Sequence, residues 1–583
     1  MKYLFTTILI ISTFGYYAQA QQAESWQWAH HGGGKQTGAG LDEDQPYGLE
    51  VDTLGNVYVF GSLKSKLNGT EVHTFSGFGS VTGLGQGEMF LAKYDCQGEP
   101  VWLKVSEDES ADRPFAMTMD AAQNLYLTGR VNHSPNSPTL FGGDTLKSGS
   151  FMLCKIAPDG QMIWSYENEQ LPSASGREVA VGANGTIYTL VLDEGLPVGW
   201  DSVDIIPGYP AGQIGYHLIA WDTSGSPLWA KRLGNYWNAL PKMFTDPAGN
   251  LYLSSSIQDS LLFDGQAFYN AFPMDISDAF IAKLDPNGDT DWIRVWSDST
   301  TDLFAGGTIS QAGNLLIGFG HNYFHQDPRI IQGDTLLGWG ADPNASYGQS
   351  AGIIQFDAQG MATKSISGTS FNNNLFISQV TQARDGRIIG VGTKIGDAEM
   401  LPGDTLVTTP SGIGGSPVLL ITDSALNPLS FMGMASTLNS QANYVKTDPN
   451  GNIYVAGAFG DSLWLGDSLL LVEGGGSSDF FVAKFGVETC SAPVVSTALK
   501  KTRNAFQPNA FPNPATHQIS LTHPPMATHA VILDLQGRTL GVHRLESGSE
   551  HSQLALWNYP AGTYIIHIER NSDRLGSTKI VIQ

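Results

Sequence analysis

The ten residues DTLGNVYVFG at 52–61 return six times, as DAAQNLYLTG (120–129), GANGTIYTL (182–190), DPAGNLYLS (246–254), QAGNLLIGFG (311–320), RDGRIIGVG (384–392) and DPNGNIYVAG (448–457). Their matching residues Tyr58, Tyr126, Tyr188, Tyr252, Leu316, Ile389 and Tyr454 stand 62 to 73 residues apart. Repetition at such a period restricts a chain to a stack or a ring, because one unit cannot bury its own apolar faces. In each full copy the opening Asp-x-x-Gly is a tight turn: Asp bonds its own backbone and Gly accepts a positive φ. The alternation that follows fits a strand of period two.

Each unit holds three more strands. An apolar strand ending on the turn residue comes first, as in YGLEVD and FAMTMD. After the repeat element come a strand of the FLAKYD type (90–95), a second turn, and a tryptophan strand such as EPVWLKV, QMIWSYE, SPLWAKRLGN or DTDWIRVW. Four antiparallel strands repeated seven times predict an all-β fold, a seven-bladed β-propeller, with the EVD-type strand innermost and the tryptophan strand outermost. Extra hairpins such as FGGDTL (141–146), IQGDTL (331–336), LPGDTL (401–406) and WLGDSL (464–469) are expected to enlarge the blades. The 68 Gly and 29 Pro, with no sustained apolar spacing of three and four, favour short strands over helices.

The seventh unit lacks an outer strand, since DFFVAKFG (479–486) runs straight into VETCSAPVV. At the other end of the chain a tryptophan strand, ESWQWAHHGGG (24–34), stands with no partner before it. The N-terminal strand is therefore expected to complete the seventh blade, which removes the open edges that a broken ring would expose.

These repeats resemble the SBBP family of β-propeller repeats, with their Asp-x-x-Gly-Asn-x-Tyr-x-x-Gly, Phe-x-Ala-Lys and late tryptophan. The resemblance spans about residues 24–487 and is close in units one, four and seven. Unit five carries Lys364 near the tryptophan position, and unit six has LITD (420–423) in place of AKYD. It implies a propeller over residues 21–487.

The two ends read differently. Lys2, the apolar run Leu4 to Phe14 and Ala18-Gln19-Ala20 make residues 1–20 a signal peptide with cleavage after Ala20. No later apolar run approaches the roughly 20 residues that cross a bilayer, so no transmembrane segment is expected in the mature chain. Residues 488–510 read as a linker, and 511–583 as a small C-terminal β-sandwich. This last segment is similar to the type A C-terminal sorting domain of the type IX secretion system, through Pro512, Asn513, Pro514, Gly537, Arg538, Gly562, Tyr564 and Lys579. The similarity implies the type IX machinery as a partner, export, and a secreted or outer-surface location.

The formal charge is −24, and the excess acid lies in residues 21–490, where 22 basic side chains face 50 acidic ones. Such a body repels phosphate backbones, so no nucleic-acid partner is expected. The three cysteines, Cys96, Cys154 and Cys490, are expected to form no disulfide framework, with Cys154 a small buried strand residue. GQSAG (348–352) matches a hydrolase pattern but stands where other units have a turn, without the strand, elbow and helix that chemistry requires. DPNGDTD (285–291) lacks the Gly and Glu of an EF-hand loop. No catalytic constellation and no metal site emerge, and no cofactor is expected beyond a weakly bound cation such as calcium.

The loops from each outermost strand to the next innermost one supply the candidate binding face: Asp42, Glu43, Asp44, Glu107, Asp108, Tyr236, Trp237, Asp298 and Asp302. Carboxylates beside aromatic rings suit a glycan or a protein ligand. The sequence thus points to a non-catalytic binding or adhesion module, with a glycan-degrading enzyme using these carboxylates as the alternative.

Overall fold

The computed structural model describes residues 24–34, 44–64, 71–83, 87–107, 112–132, 139–146, 151–167, 174–193, 198–200, 203–206, 214–235, 241–258, 260–269, 277–296, 302–324, 330–331, 334–335, 347–371, 375–395, 398–399, 415–466, 469–472, 478–487, 490, 508–525, 527–533, 539–546, 548–570 and 573–583. The chain divides into two units, Met1–Pro493 and Val494–Gln583.

The first unit is a β-propeller fold: among the described residues, seven blades of four antiparallel main strands each follow one another along the chain. In the first blade Gln45–Val51, Val57–Leu63, Glu88–Tyr94 and Pro100–Glu107 lie in that spatial order. The seven first strands are Gln45–Val51, Arg113–Met119, Ser175–Val181, Lys242–Thr245, Asp302–Ile309, Leu375–Gln382 and Gln441–Thr447. Each packs beside the next, and the seventh packs beside the first.

Each blade is covered on both faces, which explains strands as uniformly apolar as FFVAKF. Alternate residues serve different neighbours. Val57 and Val59 pack with Ala456 and Val482 of the seventh blade, whereas Tyr58 and Phe60 pack with Leu127 and Met152 of the second. An apolar cluster of this kind fills every one of the seven contacts between consecutive blades, seventh to first included.

Ser25–Gly34 supplies the outer strand of the seventh blade. It pairs antiparallel with Asp479–Gly486, Trp28 opposite Lys484 and Ala29 opposite Ala483. The Trp26 ring meets Phe485 edge-on at 5.4 Å.

Among the described residues, several extra hairpins cross to the blade before, whereas Val198–Trp200 with Val203–Ile206 form a two-stranded sheet of their own and Ser462–Leu465 with Leu469–Val472 join Ala435–Ser436; LPGDTL (401–406) lies outside the described residues. Thr139–Phe141 and Asp144–Leu146, from the second sequence repeat, extend the first blade by pairing with Pro100–Glu107. Ser260–Phe263 and Gln266–Tyr269 extend the third blade through Gly234, and Ile330–Ile331 extends the fourth through Trp296. Glu71–Phe75, from the first sequence repeat, pairs with Ser25–Gly34, so the N-terminal strand is held on both edges. The reason is the open edge: an outer strand offers a row of unpaired N–H and C=O groups, and the next repeat's hairpin covers it.

A second correction concerns the cysteines. Cys96 and Cys490 form a disulfide across 394 residues, Cα atoms 5.7 Å apart, joining a turn of the first blade to the chain that leaves the seventh. Cys154 is free and buried. GQSAG is also not a turn, because it lies within the strand Tyr347–Phe356.

The second unit contains a three-stranded sheet (Ala510–Phe511, Gln518–Thr522, His551–Ala555) and a four-stranded one (Thr539–Arg544, His529–Leu533, Gly562–Arg570, Asp573–Ile582). Ile519, Leu521, Ile532, Ile566 and Ile580 form their shared core. Asn513 Nδ2 donates to the Lys579 carbonyl and its Oδ1 accepts from the Val581 N–H, tying the Pro512-Asn513-Pro514 turn to the last strand. Tyr564 donates to the Pro560 carbonyl at 2.7 Å beside Gly562. Gly537 and Arg538 lie outside the described residues.

Candidate functional site: the axial cavity

The repeated residues are occupied by folding. Asp52 Oδ1 accepts the backbone N–H of Leu54 and Asn56, and its Oδ2 accepts the Asn56 amide at 2.7 Å and the Tyr58 hydroxyl at 3.2 Å. The Asp, Asn and Tyr side chains make the same bonds at Asp120, Asp246 and Asp448. The tryptophans reach the second turn of the next blade: Trp28, Trp164 and Trp292 donate to the carbonyls of Cys96, Thr223 and Ala358. At Gly288, where φ is +84°, a Cβ would stand 2.5 Å from the Trp229 ring. A side chain there would meet the ring and adopt a left-handed backbone as well.

What remains lies on the axis. The first strands of all seven blades surround a cavity of about 200 Å³. Six of these strands carry a register shift near their start, for example between Pro46 and Gly48 or Gly176 and Glu178, and such bulges re-aim side chains. Tyr47, Phe115 and Arg177 stand at three of them in series: Tyr47 meets Phe115 edge-on at 6.1 Å, and the Arg177 guanidinium lies 4.3 Å over the Phe115 ring.

Below them lie two ion pairs. Glu178 and Lys242, four places before the turn residues Gly182 and Asp246, meet at 3.0 Å. Glu50 and Lys446, two places before Asp52 and Asp448, meet at 2.9 Å. Lys242 also stands 5.4 Å over the ring of Tyr444 on the seventh blade. Burial pushes the Glu50 and Glu178 carboxyls up, against the pull of Lys446 and Lys242. Burial works against the Lys242 ammonium, but Glu178 and Tyr444 outweigh it and hold its pKa above the ordinary lysine value. Burial also pushes the Tyr444 phenol up. The cavity therefore presents fixed charges and hydroxyls, with each carboxylate engaged by a lysine.

The loop-face candidates fare differently. Asp44 is buried, 4% exposed, and pins strand ends: its Oδ1 accepts the Lys64 N–H at 2.6 Å and its Oδ2 the Gly34 N–H at 2.9 Å. It is no binding-rim residue. Glu107 is exposed at the end of the first blade's outer strand, and Asp302 begins the innermost strand of the fifth. Asp42, Glu43, Asp108, Tyr236, Trp237 and Asp298 lie outside the described residues. Asp44, Glu107 and Asp302 do not line the axial cavity. Among the described residues, no cluster of three or more His, Cys, Asp or Glu side chains is arranged to hold a metal ion, and no helix is long and apolar enough to cross a membrane. Sequence reasoning passed over Glu50 although it quoted its strand; a charged residue in the innermost strand of a propeller was the available signal.

Residues 509–583 match the secretion system C-terminal sorting domain family. No curated protein matches the chain. Among solved structures it is similar to a virginiamycin B lyase from Staphylococcus aureus (10% identity, 78% of this chain and 99% of that one, TM-score 0.35). It is similar also to the polysaccharide lyase Uly1 (10% identity, 78% and 92%, TM-score 0.39). A third is PorZ, a surface component of the type IX secretion system of Porphyromonas gingivalis (9% identity, 93% and 99%, TM-score 0.17). Likenesses at these scores say nothing of what this chain binds. The sorting domain does speak to location: the chain is exported through type IX secretion to the cell surface or the extracellular space, and the secretion machinery is its partner in that step.

Proposed function

We propose that the exported chain is a non-catalytic binding module whose propeller takes a ligand at the axial cavity. The observation that carries this reading is the state of the cavity's charged groups. Glu50 and Glu178 are each locked to a lysine, which leaves no poised base, whereas the lysines, Tyr47 and Tyr444 remain as recognition groups. The likeness of the repeats to SBBP propellers, the N-terminal signal peptide and the tail's similarity to type A sorting domains support a surface or secreted setting.

A second reading is a glycan-degrading enzyme. It is favoured by two carboxyls sharing one cavity with burial raising both, as an acid catalyst needs. Incubation of residues 21–583 with a panel of polysaccharides, oligosaccharides and peptides separates the two. Retention of a ligand without new reducing ends is expected; new reducing ends that vanish in Glu178→Gln would establish the enzyme instead.

A further inference from the structure

We infer that the axial cavity takes a small carboxylate-bearing ligand, and this rests on the cavity being the binding site. Both ion pairs turn the same way. The Lys242 and Lys446 side chains are 26% and 33% exposed, whereas their partners Glu178 and Glu50 are 9% and 10% exposed. In each pair the lysine side chain, not the glutamate, is the more accessible member.

Glu178 is engaged by Lys242 at 3.0 Å, and the backbone at Val179 and Met243 also favours its charged form. An ammonium carries three N–H donors: Glu178 and the Tyr444 hydroxyl engage Lys242 and Glu50 engages Lys446, which leaves donors to place on each. The free valence of the two ion pairs is therefore donor in character.

Position sharpens the inference. Lys242 comes from the fourth innermost strand and reaches across to Tyr444 on the seventh, and Lys446 stands two residues beyond Tyr444 on that strand. Two residues of strand rise place the two levels about 7 Å apart. One sugar acid or one short dicarboxylate spans that interval, and about 200 Å³ admits one such molecule rather than a polymer. The body around the cavity is strongly acidic, −24 over the chain, so a small anion gains nothing from the outer surface. Its binding depends on these two lysines, in surroundings where water screens charge poorly.

The test is calorimetric titration of residues 21–583 with D-glucuronate, succinate and D-glucose. At least one of the two anions is expected to bind at least ten-fold more tightly than glucose, and the preference between them separates sugar acid from dicarboxylate. The paired variants Glu50→Gln/Lys446→Met and Glu178→Gln/Lys242→Met keep the cavity neutral and are expected to weaken binding at least ten-fold, with the fold checked by thermal melting. Lys446→Arg keeps the charge and is expected to retain binding should a paired variant misfold. Glucose bound as tightly as glucuronate, or neither anion bound, overturns the inference. Retention of neutral glycans by a chain that ignores both anions would overturn it while leaving the binding module in place.

Discussion

Between their sheets, the first and seventh blades are near copies. Asp52 and Asp448 hold Asn56 and Asn452, Tyr58 and Tyr454, with the same bonds at the same lengths to within 0.1 Å. On the axis the same two blades carry opposite charges, Glu50 and Lys446, bonded to each other. The difference teaches where a repeat protein is free to vary. A position that packs against the neighbouring blade must be recopied in every unit, because each contact between blades has the same shape to fill. A position on the axis meets several different blades at once, so nothing requires it to repeat.

The largest expected effect tests the packing side. Deleting residues 21–34 strips the seventh blade of its outer strand, with Trp26, Trp28 and both of that strand's pairings. A loss of about 5 kcal/mol or more is expected, comparable to a domain's whole stability. A melting curve unchanged from the full chain would break the comparison outright.

Next comes pH. His73 and His217 are wholly buried between sheets, and burial lowers both pKa values to about 4. Between pH 6.5 and 4 the unfolded chain binds protons that the folded chain refuses, so stability is full above pH 6.5 and falls as pH falls through that window. The expected loss is about 3 kcal/mol per histidine at pH 4. The variant His73→Phe/His217→Phe should flatten the decline in denaturant midpoint against pH; a parallel decline would refute the assignment.

A smaller effect separates backbone from contact. Gly288→Val combines a positive φ with a clash on Trp229 and should cost about 2 kcal/mol, whereas Gly143→Ala, with φ +89° and nothing within 4 Å, should cost about 1 kcal/mol. Equal losses in urea melts would mean that the tryptophan adds nothing at that turn.

The smallest expected effect on stability lies on the axis. Exchanging the pair, Glu50→Lys with Lys446→Glu, keeps the ion pair and should shift stability by less than about 1 kcal/mol. Ligand affinity should nevertheless collapse, because the exposed member of the pair becomes a carboxylate. A large drop in melting temperature would place the axis with the packing positions instead.

How much of this was legible in the sequence follows the same division. The strand order could be read because the period-two pattern and the turn residues recur in unit after unit, and Trp28 stood out as an outer strand without its partner. The destination of the hairpins could not. FGGDTL announces a hairpin, but its own blade and the preceding one both offer an outer edge, and only the folded geometry selects Pro100–Glu107. The pairing of Cys96 with Cys490 was equally hidden, since 394 residues separate them and only the meeting of the first and seventh blades brings them together. Asp44 read as one of a run of acids in a loop, yet its two backbone bonds make it part of the scaffold. Glu50 and Lys446 were each visible in the innermost strand; what no local pattern announces is that residues 396 apart in sequence become partners.

The bond between Cys96 and Cys490 has a mechanical consequence. A chain tethered or hauled by its C-terminal tail is pulled at the exit of the seventh blade. Without a crosslink, such a load would peel Asp479–Gly486 away one hydrogen bond at a time, like a zipper. Through the disulfide the load passes instead into a turn of the first blade, and the seventh is spared the peeling.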